Sequence, residues 1–268
     1  MVTSNMQENQ IVITTFYKFI DLPNFELIKE PLRIFCVKKN LKGTILLASE
    51  GINATISGLR EDIDSFYQEL KNQYDIVLTN IKESFAGKRP FYKMKVRLKK
   101  EIVTLGVPGV DGTNSGRYVK AEEWDDFIAG SDVILIDTRN KYEINLGSFK
   151  GAVNPMIEHF RDFPKWFDDN IDQFKGKKVA MFCTGGVRCE KSTSFAKFRG
   201  INDVYHLDGG ILGYLEKNTD KVKSWYGDCF VFDDRVAVDA KINPSPAVTC
   251  CLTKDGDEYV RITRKNLE

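Results

Sequence analysis

The stretch MFCTGGVRCEKSTSFAKFRG, residues 181–200, decides the fold of the part of the chain that surrounds it. An apolar run ends at Cys183, Gly185 and Gly186 follow, and apolar residues then recur at helical spacing from about Cys189 onward. This pattern predicts a strand, a short loop and a helix. It places a cysteine at the point where the strand ends.

A thiol at this point would face the backbone N–H groups of the loop and the N-terminus of the helix. Both favour negative charge and lower the pKa of a thiol, and Arg188 adds a fixed positive charge beside them. A buried structural cysteine is the alternative, but packing alone does not require a Gly-Gly turn followed by an arginine and a helix start. The sequence therefore predicts a reactive thiolate at Cys183. The predicted cradle consists of Thr184, Gly185, Gly186 and Val187.

The flanking sequence alternates strands and helices. DVILIDTR, residues 132–139, is a continuous apolar strand of the kind that a parallel sheet buries on both faces. Asp137 and Arg139 at its end are interpreted as a structural ion pair. We predict a doubly wound parallel-sheet domain over residues 120–218 and a C-terminal extension over residues 219–268.

The N-terminal part follows the order β-α-β-β-α-β. IVITTFYKF is rich in β-branched and aromatic residues, LKGTILLASEGINATISG has the pattern of a hairpin, and LREDIDSFYQELKNQ has one apolar helical face. This order predicts a ferredoxin-like α+β sandwich over residues 1–105. Residues 106–119 are rich in Gly, Ser and Asn and are predicted to be an interdomain linker.

A basic segment closes the first predicted domain. Residues 82–101 contain eight lysines and arginines against two glutamates, and the basic residues alternate with Met94, Val96 and Leu98. A strand here would be apolar on one side and basic on the other. Lysines of this kind either protect a sheet edge from pairing or contact phosphates of a nucleic acid. The candidate RNA-binding residues are Lys88, Arg89, Lys93, Lys95, Arg97 and Lys99.

Bulk properties narrow the class of protein. The formal net charge is +1, so any nucleic-acid surface must be local. The N-terminus lacks the features of a signal peptide and every apolar run is too short to cross a bilayer, so we expect a cytoplasmic protein that does not enter membranes. Six scattered cysteines and two histidines give no metal-ligand spacing, and we predict no metal site.

The loop resembles the active-site loop of the rhodanese superfamily, in which a catalytic cysteine opens a short loop before a helix. The fuller string CTGGVRCEKS resembles the rhodanese-domain tRNA uridine(34) hydroxylase family, and KYEINLGSFKGAVNP, with Glu143, resembles the rhodanese pattern of an acid before a Gly-Ala turn. Family members often carry a cysteine-rich C-terminal segment, of which this chain has only Cys229, Cys250 and Cys251.

The resemblance implies a ferredoxin-like N-terminal domain and a tRNA substrate, bound at its anticodon loop. The implied reaction converts the wobble uridine to 5-hydroxyuridine with molecular oxygen as co-substrate, and no metal or flavin motif is evident. On this basis the catalytic residues would be Cys183, Cys189 and Arg188.

Three other functions use a similar cysteine or scaffold. A sulfurtransferase would carry a persulfide on Cys183 and needs no second thiol, whereas Cys189 can resolve an oxidised intermediate. A cysteine phosphatase resembles this loop less well, because Arg188 follows after four residues instead of five and Phe182 stands where a histidine is usual. A non-catalytic tRNA-binding module would not need a reactive thiol.

Overall fold

The chain divides into two compact units, residues 1–102 and residues 103–268. The computed structural model describes residues 10–87, 89–218, 221–233 and 235–245. Lys88, Cys250 and Cys251, which the sequence singles out, lie outside the described residues. None of the helices in these ranges combines the length and the apolar character that a membrane crossing needs.

The first unit is a five-stranded sheet with two helices. Its elements are β1 (Ile11–Phe19), α1 (Phe25–Lys38), β2 (Lys42–Ala48), β3 (Gly51–Gly58), α2 (Arg60–Tyr74), β4 (Lys82–Ala86) and β5 (Met94–Leu98). The strand order is β4-β1-β3-β2-β5, and only the β2–β5 pair is parallel. The first four strands and both helices form the ferredoxin-like arrangement that the sequence predicted.

Apolar residues at helical spacing fix α1 and α2 on the sheet. Ile28, Leu32 and Cys36 of α1 share one core with Ile63, Phe66 and Leu70 of α2 and with the inward residues of the strands. The predicted hairpin is confirmed, with residues 49 and 50 left as its turn and Gly51 at a φ of +138°. Such a φ is open to glycine and costly for other residues.

The basic segment forms β5, an edge strand of this sheet. Val96 is buried opposite Ile45 of β2, but Leu98 at the strand end is 37% exposed. Met94 and Val96 on the apolar side of the strand pack on the core, as predicted, whereas Leu98 is partly exposed because the last residues of an edge strand have few neighbours to cover them.

The second unit is built around a four-stranded parallel sheet of order β6-β10-β9-β7. Its elements are β6 (Arg117–Val119), α3 (Trp124–Ile128), β7 (Val133–Asp137), α4 (Lys141–Ile144), β8 (Gly147–Phe149), α5 (Phe163–Asp169), β9 (Lys178–Phe182), α6 (Val187–Phe198), β10 (Val204–Leu207), α7 (Gly210–Lys217), β11 (Trp225–Gly227), β12 (Cys229–Phe230) and β13 (Ala237–Val238), with 3-10 turns at Phe160–Asp162 and Ile171–Phe174. Helices and parallel strands alternate as predicted.

The α6 helix is enclosed almost from end to end. Its residues from Arg188 to Ala196 are all buried, including Glu190, Lys191 and Thr193. A helix buried on every side shows no apolar stripe, so its polar side chains must find partners inside the protein.

Residues 106–119 supply part of that cover, and here the structure differs from the linker prediction. Val110 belongs to the core around α6, the Gly116 N–H donates to the Thr193 hydroxyl at 2.8 Å, and Arg117–Val119 is a strand of the sheet. Richness in glycine, serine and asparagine indicated an irregular backbone correctly, but irregular backbone can still pack.

The described part of the C-terminal extension also packs on the second unit. β11 pairs with β8, and Trp225, Cys229, Val231 and Val238 join the core that surrounds β9 and α7. Residues 221–233 and 235–245 are thus an integral layer of this unit.

Candidate active site

Cys183 is the first residue after β9, and α6 begins four residues later at Val187. Gly186 adopts a φ of +102°, which lets the chain reverse into α6, and its N–H donates to the Cys183 sulfur at 3.1 Å. The Gly186 carbonyl accepts hydrogen bonds from the Cys189 and Glu190 N–H groups, which opens the helix. The predicted strand, loop and helix are therefore present with the thiol at their junction.

The environment of Cys183 stabilises its thiolate. Burial raises the pKa of this thiol, but the hydrogen bond from the Cys189 thiol, the Arg188 charge and the N–H groups of both residues outweigh it and lower the pKa to about 6. The pKa of Cys189 moves the opposite way, well above its usual range, because this thiol is buried and donates to Cys183. At neutral pH the pair therefore holds one proton, on Cys189.

The guanidinium of Arg188 is held by a buried carboxylate. Its Nη1 and Nη2 donate to the two carboxylate oxygens of Glu143 at 2.6 and 2.8 Å. Burial raises the pKa of Glu143, but Arg188 in first place and then Arg139 and the Asn140 N–H lower it below its usual range. The Thr184 hydroxyl lies between them, donating to Glu143 and accepting from Arg188. Arg188 thus has a fixed position and a buried carboxylate as its ion-pair partner.

Glu143 itself is positioned by the start of α4. Asn140 is the N-cap residue, and its N–H donates to the Glu143 carboxylate at 3.1 Å. Sequence reasoning noted Glu143 as part of a family pattern, but not as the partner of Arg188. Only the fold brings the two residues, 45 positions apart, into contact.

A second glycine turn, at Gly209 and Gly210 where α7 begins, makes backbone hydrogen bonds to the Cys183 loop. The Ile211 and Leu212 N–H groups at the start of α7 donate to the carbonyls of Cys183 and Thr184 at 2.9 and 3.1 Å. Gly210 has a φ of +63°, and a Cβ at this position would lie 2.5 Å from the Cys183 carbonyl oxygen. Any larger residue would therefore push the loop away. The Gly pair after β10 was the sequence signal for this contact.

Asp137 and Arg139 form the structural ion pair that the sequence predicted. Both side chains are fully buried, and Arg139 donates to the Asp137 carboxylate at 2.9 and 2.6 Å. The Ser148 hydroxyl and the Gly147 carbonyl complete their hydrogen bonds, and the Trp225 ring lies against the guanidinium. This pair ties β7 to β8 and β11.

The sulfur atoms of the site are enclosed. Cys183 and Cys189 have no exposed surface, and Gly185 and Val187 are the half-buried outer residues of the loop. A large substrate can reach the Cys183 sulfur only when the cover of the loop opens locally.

Histidine chemistry is not part of this loop. The position of His206 in a strand predicts a satisfied core or edge residue. It is buried in β10, where its Nε2 lies 3.9 Å from a Glu190 carboxylate oxygen and neither ring nitrogen makes a close hydrogen bond. Burial lowers its pKa to about 4, so the ring is neutral at physiological pH. Within the described residues, no group of three or more His, Cys, Asp or Glu side chains could hold a metal ion.

The predicted RNA-binding residues belong to the first unit and the thiols to the second. Lys93 and Lys99 are exposed, Lys95 and Arg97 are half-buried on β5, and Arg89 donates to the Asn40 carbonyl.

The pH dependence of alkylation tests the thiolate. Iodoacetamide should modify Cys183 at a rate that rises with the thiolate fraction, with half its maximum at about pH 6. Cys36 and Cys229, whose pKa values burial raises to about 12, should stay unmodified up to pH 8 and serve as internal controls. Peptide mass spectrometry gives the rate at each site.

The Cys189→Ala variant should shift that midpoint upward by a unit or more, because it removes the leading hydrogen bond to the sulfur. A midpoint near pH 8.5 in the unmodified protein, the value of an ordinary thiol, would contradict the assignment of a thiolate.

Two domain models match the chain. Residues 11–102 match the UPF0176 acylphosphatase like domain, and residues 120–217 match the Rhodanese-like domain.

Curated relatives match nearly the whole chain. A tRNA uridine(34) hydroxylase of Wolbachia pipientis subsp. Culex pipiens (strain wPip) is 53% identical over 94% of this chain and 91% of its own length. The tRNA uridine(34) hydroxylase of Wolbachia pipientis wMel is 52% identical over 89% of this chain and 86% of its own length. With this identity, and with both domains present, the chain belongs to the tRNA uridine(34) hydroxylase family.

Proposed function

We propose that this protein hydroxylates uridine 34, the wobble uridine in the anticodon loop of tRNA, to 5-hydroxyuridine with molecular oxygen as co-substrate. Its family supports the reaction and the substrate. The observation that carries the chemistry is the Cys183 thiolate, which accepts a hydrogen bond from a second thiol. The cytoplasmic location expected from the sequence is part of this proposal.

The first step is nucleophilic addition. The Cys183 thiolate attacks C6 of the uracil ring and forms an S–C6 bond, and the electron pair of the C5–C6 double bond becomes an enolate over C5 and the C4 carbonyl. The enolate carbon C5 then reacts with oxygen, and protonation yields a hydroperoxide at C5. A nucleophile that is ionised at neutral pH is the requirement for this step, and a pKa of about 6 meets it.

The second thiol supplies the electrons that the hydroperoxide needs. Cys189 gives its proton to the C5 peroxide as the hydroperoxide forms, and its thiolate then attacks the distal peroxide oxygen, which leaves a hydroxyl on C5 and a sulfenic acid on Cys189. Loss of the C5 proton expels the Cys183 thiolate and releases 5-hydroxyuridine. Cys183 then attacks the sulfenic sulfur, so that a Cys183–Cys189 disulfide and water form.

A thiol reductant of the dithiol or glutathione class restores both cysteines. In the overall reaction, uridine, one molecule of oxygen and two thiols are consumed, and 5-hydroxyuridine, water and one disulfide are formed. The contact between the two sulfur groups supports this sequence of steps, because resolution requires Cys189 to reach Cys183.

Nucleoside mass spectrometry of tRNA incubated aerobically with the protein tests the proposal. With dithiothreitol we expect many turnovers, and without reductant about one 5-hydroxyuridine per protein, together with a Cys183–Cys189 disulfide in the peptide map. Cys183→Ser should give no product. Cys36→Ala, which removes a buried thiol of the first unit, should keep activity and serves as the control.

Two outcomes would overturn the proposal. Unaltered product with Cys183→Ser would exclude covalent catalysis by this residue. No product from the unmodified protein, together with sulfur transfer from thiosulfate to cyanide, would make Cys183 a persulfide carrier, for which Cys189 is not needed.

We also propose that β5 and the residues before it contact the phosphates of tRNA. The residues are Lys88, Arg89, Lys93, Lys95, Arg97 and Lys99. Val96 points into the core with Ile45, so Lys95 and Arg97 point to the sheet face opposite the helices, in register with Thr44 and Leu46. A positive stripe on an edge strand suits a polyanion, and protection of the edge from strand pairing is the competing role.

The salt dependence of tRNA binding separates these roles. The double variant Lys95→Gln/Arg97→Gln should bind more weakly and reduce the slope of log Kd against log salt by about 1.4, since each single-strand phosphate contact contributes about 0.7. Lys38→Gln/Lys71→Gln removes the same charge from exposed positions on the helices and is the matched control. If both variants bind tRNA as tightly as the parent protein, the basic residues of β5 do not contact tRNA and serve only to protect the sheet edge from strand pairing.

A further inference from the structure

A tight turn of the C-terminal extension stands beside the Arg188–Glu143 pair. The Val231 N–H donates to the Val236 carbonyl at 2.8 Å, and the Val236 N–H donates to the Asp233 carbonyl at 3.0 Å. Inside the turn, Arg235 donates to both carboxylate oxygens of Asp233, at 2.8 and 2.6 Å, and the Asp233 side chain is 2% exposed. This buried bidentate ion pair next to Phe232 fixes the backbone that carries the Phe232 side chain.

This turn presents one aromatic ring to solvent. Phe232 is 51% exposed, although its neighbours Val231 and Asp233 are buried. The Phe230 ring supports it edge-on, with centroids 5.0 Å apart at 80°, and Tyr142 supports Phe230 in the same way at 5.2 Å. Phe232 is therefore the outermost of three aromatic rings that pack edge to face, and its contact with Phe230 holds it in place.

The exposed ring lies at the candidate active site. The Arg188 guanidinium carbon is 5.9 Å from the centroid of Phe232, and the same guanidinium is bonded to Glu143 and Thr184. Arg188 also precedes Cys189 in the chain and contributes to the acidity of Cys183. The half-exposed Phe232 ring, with the Arg188 guanidinium over it, thus lies next to a residue that stabilises the thiolate.

We propose that Phe232 binds substrate by stacking on a nucleobase of the anticodon loop, and so orients the RNA over the Cys183 loop. This inference rests on the proposed function. Bases in single-stranded RNA loops are unstacked and are recognised by aromatic side chains, because each base has a face that can stack. A ring that is rigidly mounted loses little conformational freedom on binding, which suits it to this role.

The test compares Phe232→Leu with Phe232→Trp. Leucine keeps the apolar contact with Phe230 but removes the aromatic face, so the KM for tRNA should rise about tenfold, within the range that one lost stacking contact gives, while kcat changes less than twofold. The dissociation constant of an isolated anticodon stem-loop, measured by fluorescence anisotropy, should rise by a similar factor. Tryptophan should restore both values.

A matched control comes from the same unit. Phe198 is 59% exposed at the far end of α6, about 15 Å along the helix from Arg188, and Phe198→Leu should leave KM and binding unchanged. The pH midpoint of Cys183 alkylation should be the same in all these variants. A shifted midpoint in Phe232→Leu would overturn the inference, because Phe232 would then act by packing on Arg188.

The remaining outcomes separate this inference from the proposed function. Wild-type KM and stem-loop affinity in Phe232→Leu would overturn the stacking role and leave the hydroxylase intact. Conversely, stem-loop binding that depends on Phe232 in a protein that makes no 5-hydroxyuridine would support the stacking role and overturn the proposed reaction.

Discussion

The second unit depends on one constraint, a thiolate that is kept out of water. Burial alone would raise the pKa of Cys183, so the loop must supply more stabilisation than the lost solvent did. The leading contribution is the hydrogen bond from Cys189, one helical position beyond Arg188, and the loop N–H groups add to it. Gly186 and Gly210 make this geometry possible: Gly186 adopts a φ of +102°, which other residues rarely reach, and a Cβ on Gly210 would lie 2.5 Å from the Cys183 carbonyl oxygen.

The positively charged guanidinium of Arg188, next to the Cys183 sulfur, has a buried carboxylate as its partner. Arg188 is paired with Glu143 through two short hydrogen bonds, so the site does not carry an uncompensated buried cation. Removing either partner of such a buried pair typically costs about 3–5 kcal/mol. Among the contributions that lower the pKa of Cys183, the hydrogen bond from Cys189 is the largest and the charge of Arg188 comes second. The second cysteine thus lowers the pKa of the first, and in the proposed reaction it also removes the peroxide oxygen.

The spacing of apolar residues and of glycines along the sequence was enough to predict the ferredoxin-like order of strands and helices, the parallel sheet, and the strand, loop and helix around Cys183. It could not predict contacts between distant segments. The α6 helix has no apolar stripe because residues 106–119 cover it, and those residues looked like a linker because their backbone is irregular. The pairing of Arg188 with Glu143, the support of the loop by Gly210 and the position of Phe232 at the site all depend on tertiary packing.

The central claim is that Cys183 forms a covalent bond to C6 of uridine 34. It is tested most directly with tRNA that carries 5-fluorouridine at position 34, incubated with the protein without oxygen. Fluorine makes C6 more electrophilic, and without oxygen the enolate formed by addition takes a proton from solvent at C5. The resulting 5-fluoro-5,6-dihydrouridine adduct should survive denaturation and map by mass spectrometry to Cys183. It should be missing with Cys183→Ser and with fluorouridine placed in the acceptor stem. No adduct from a protein that hydroxylates normal tRNA would contradict the claim.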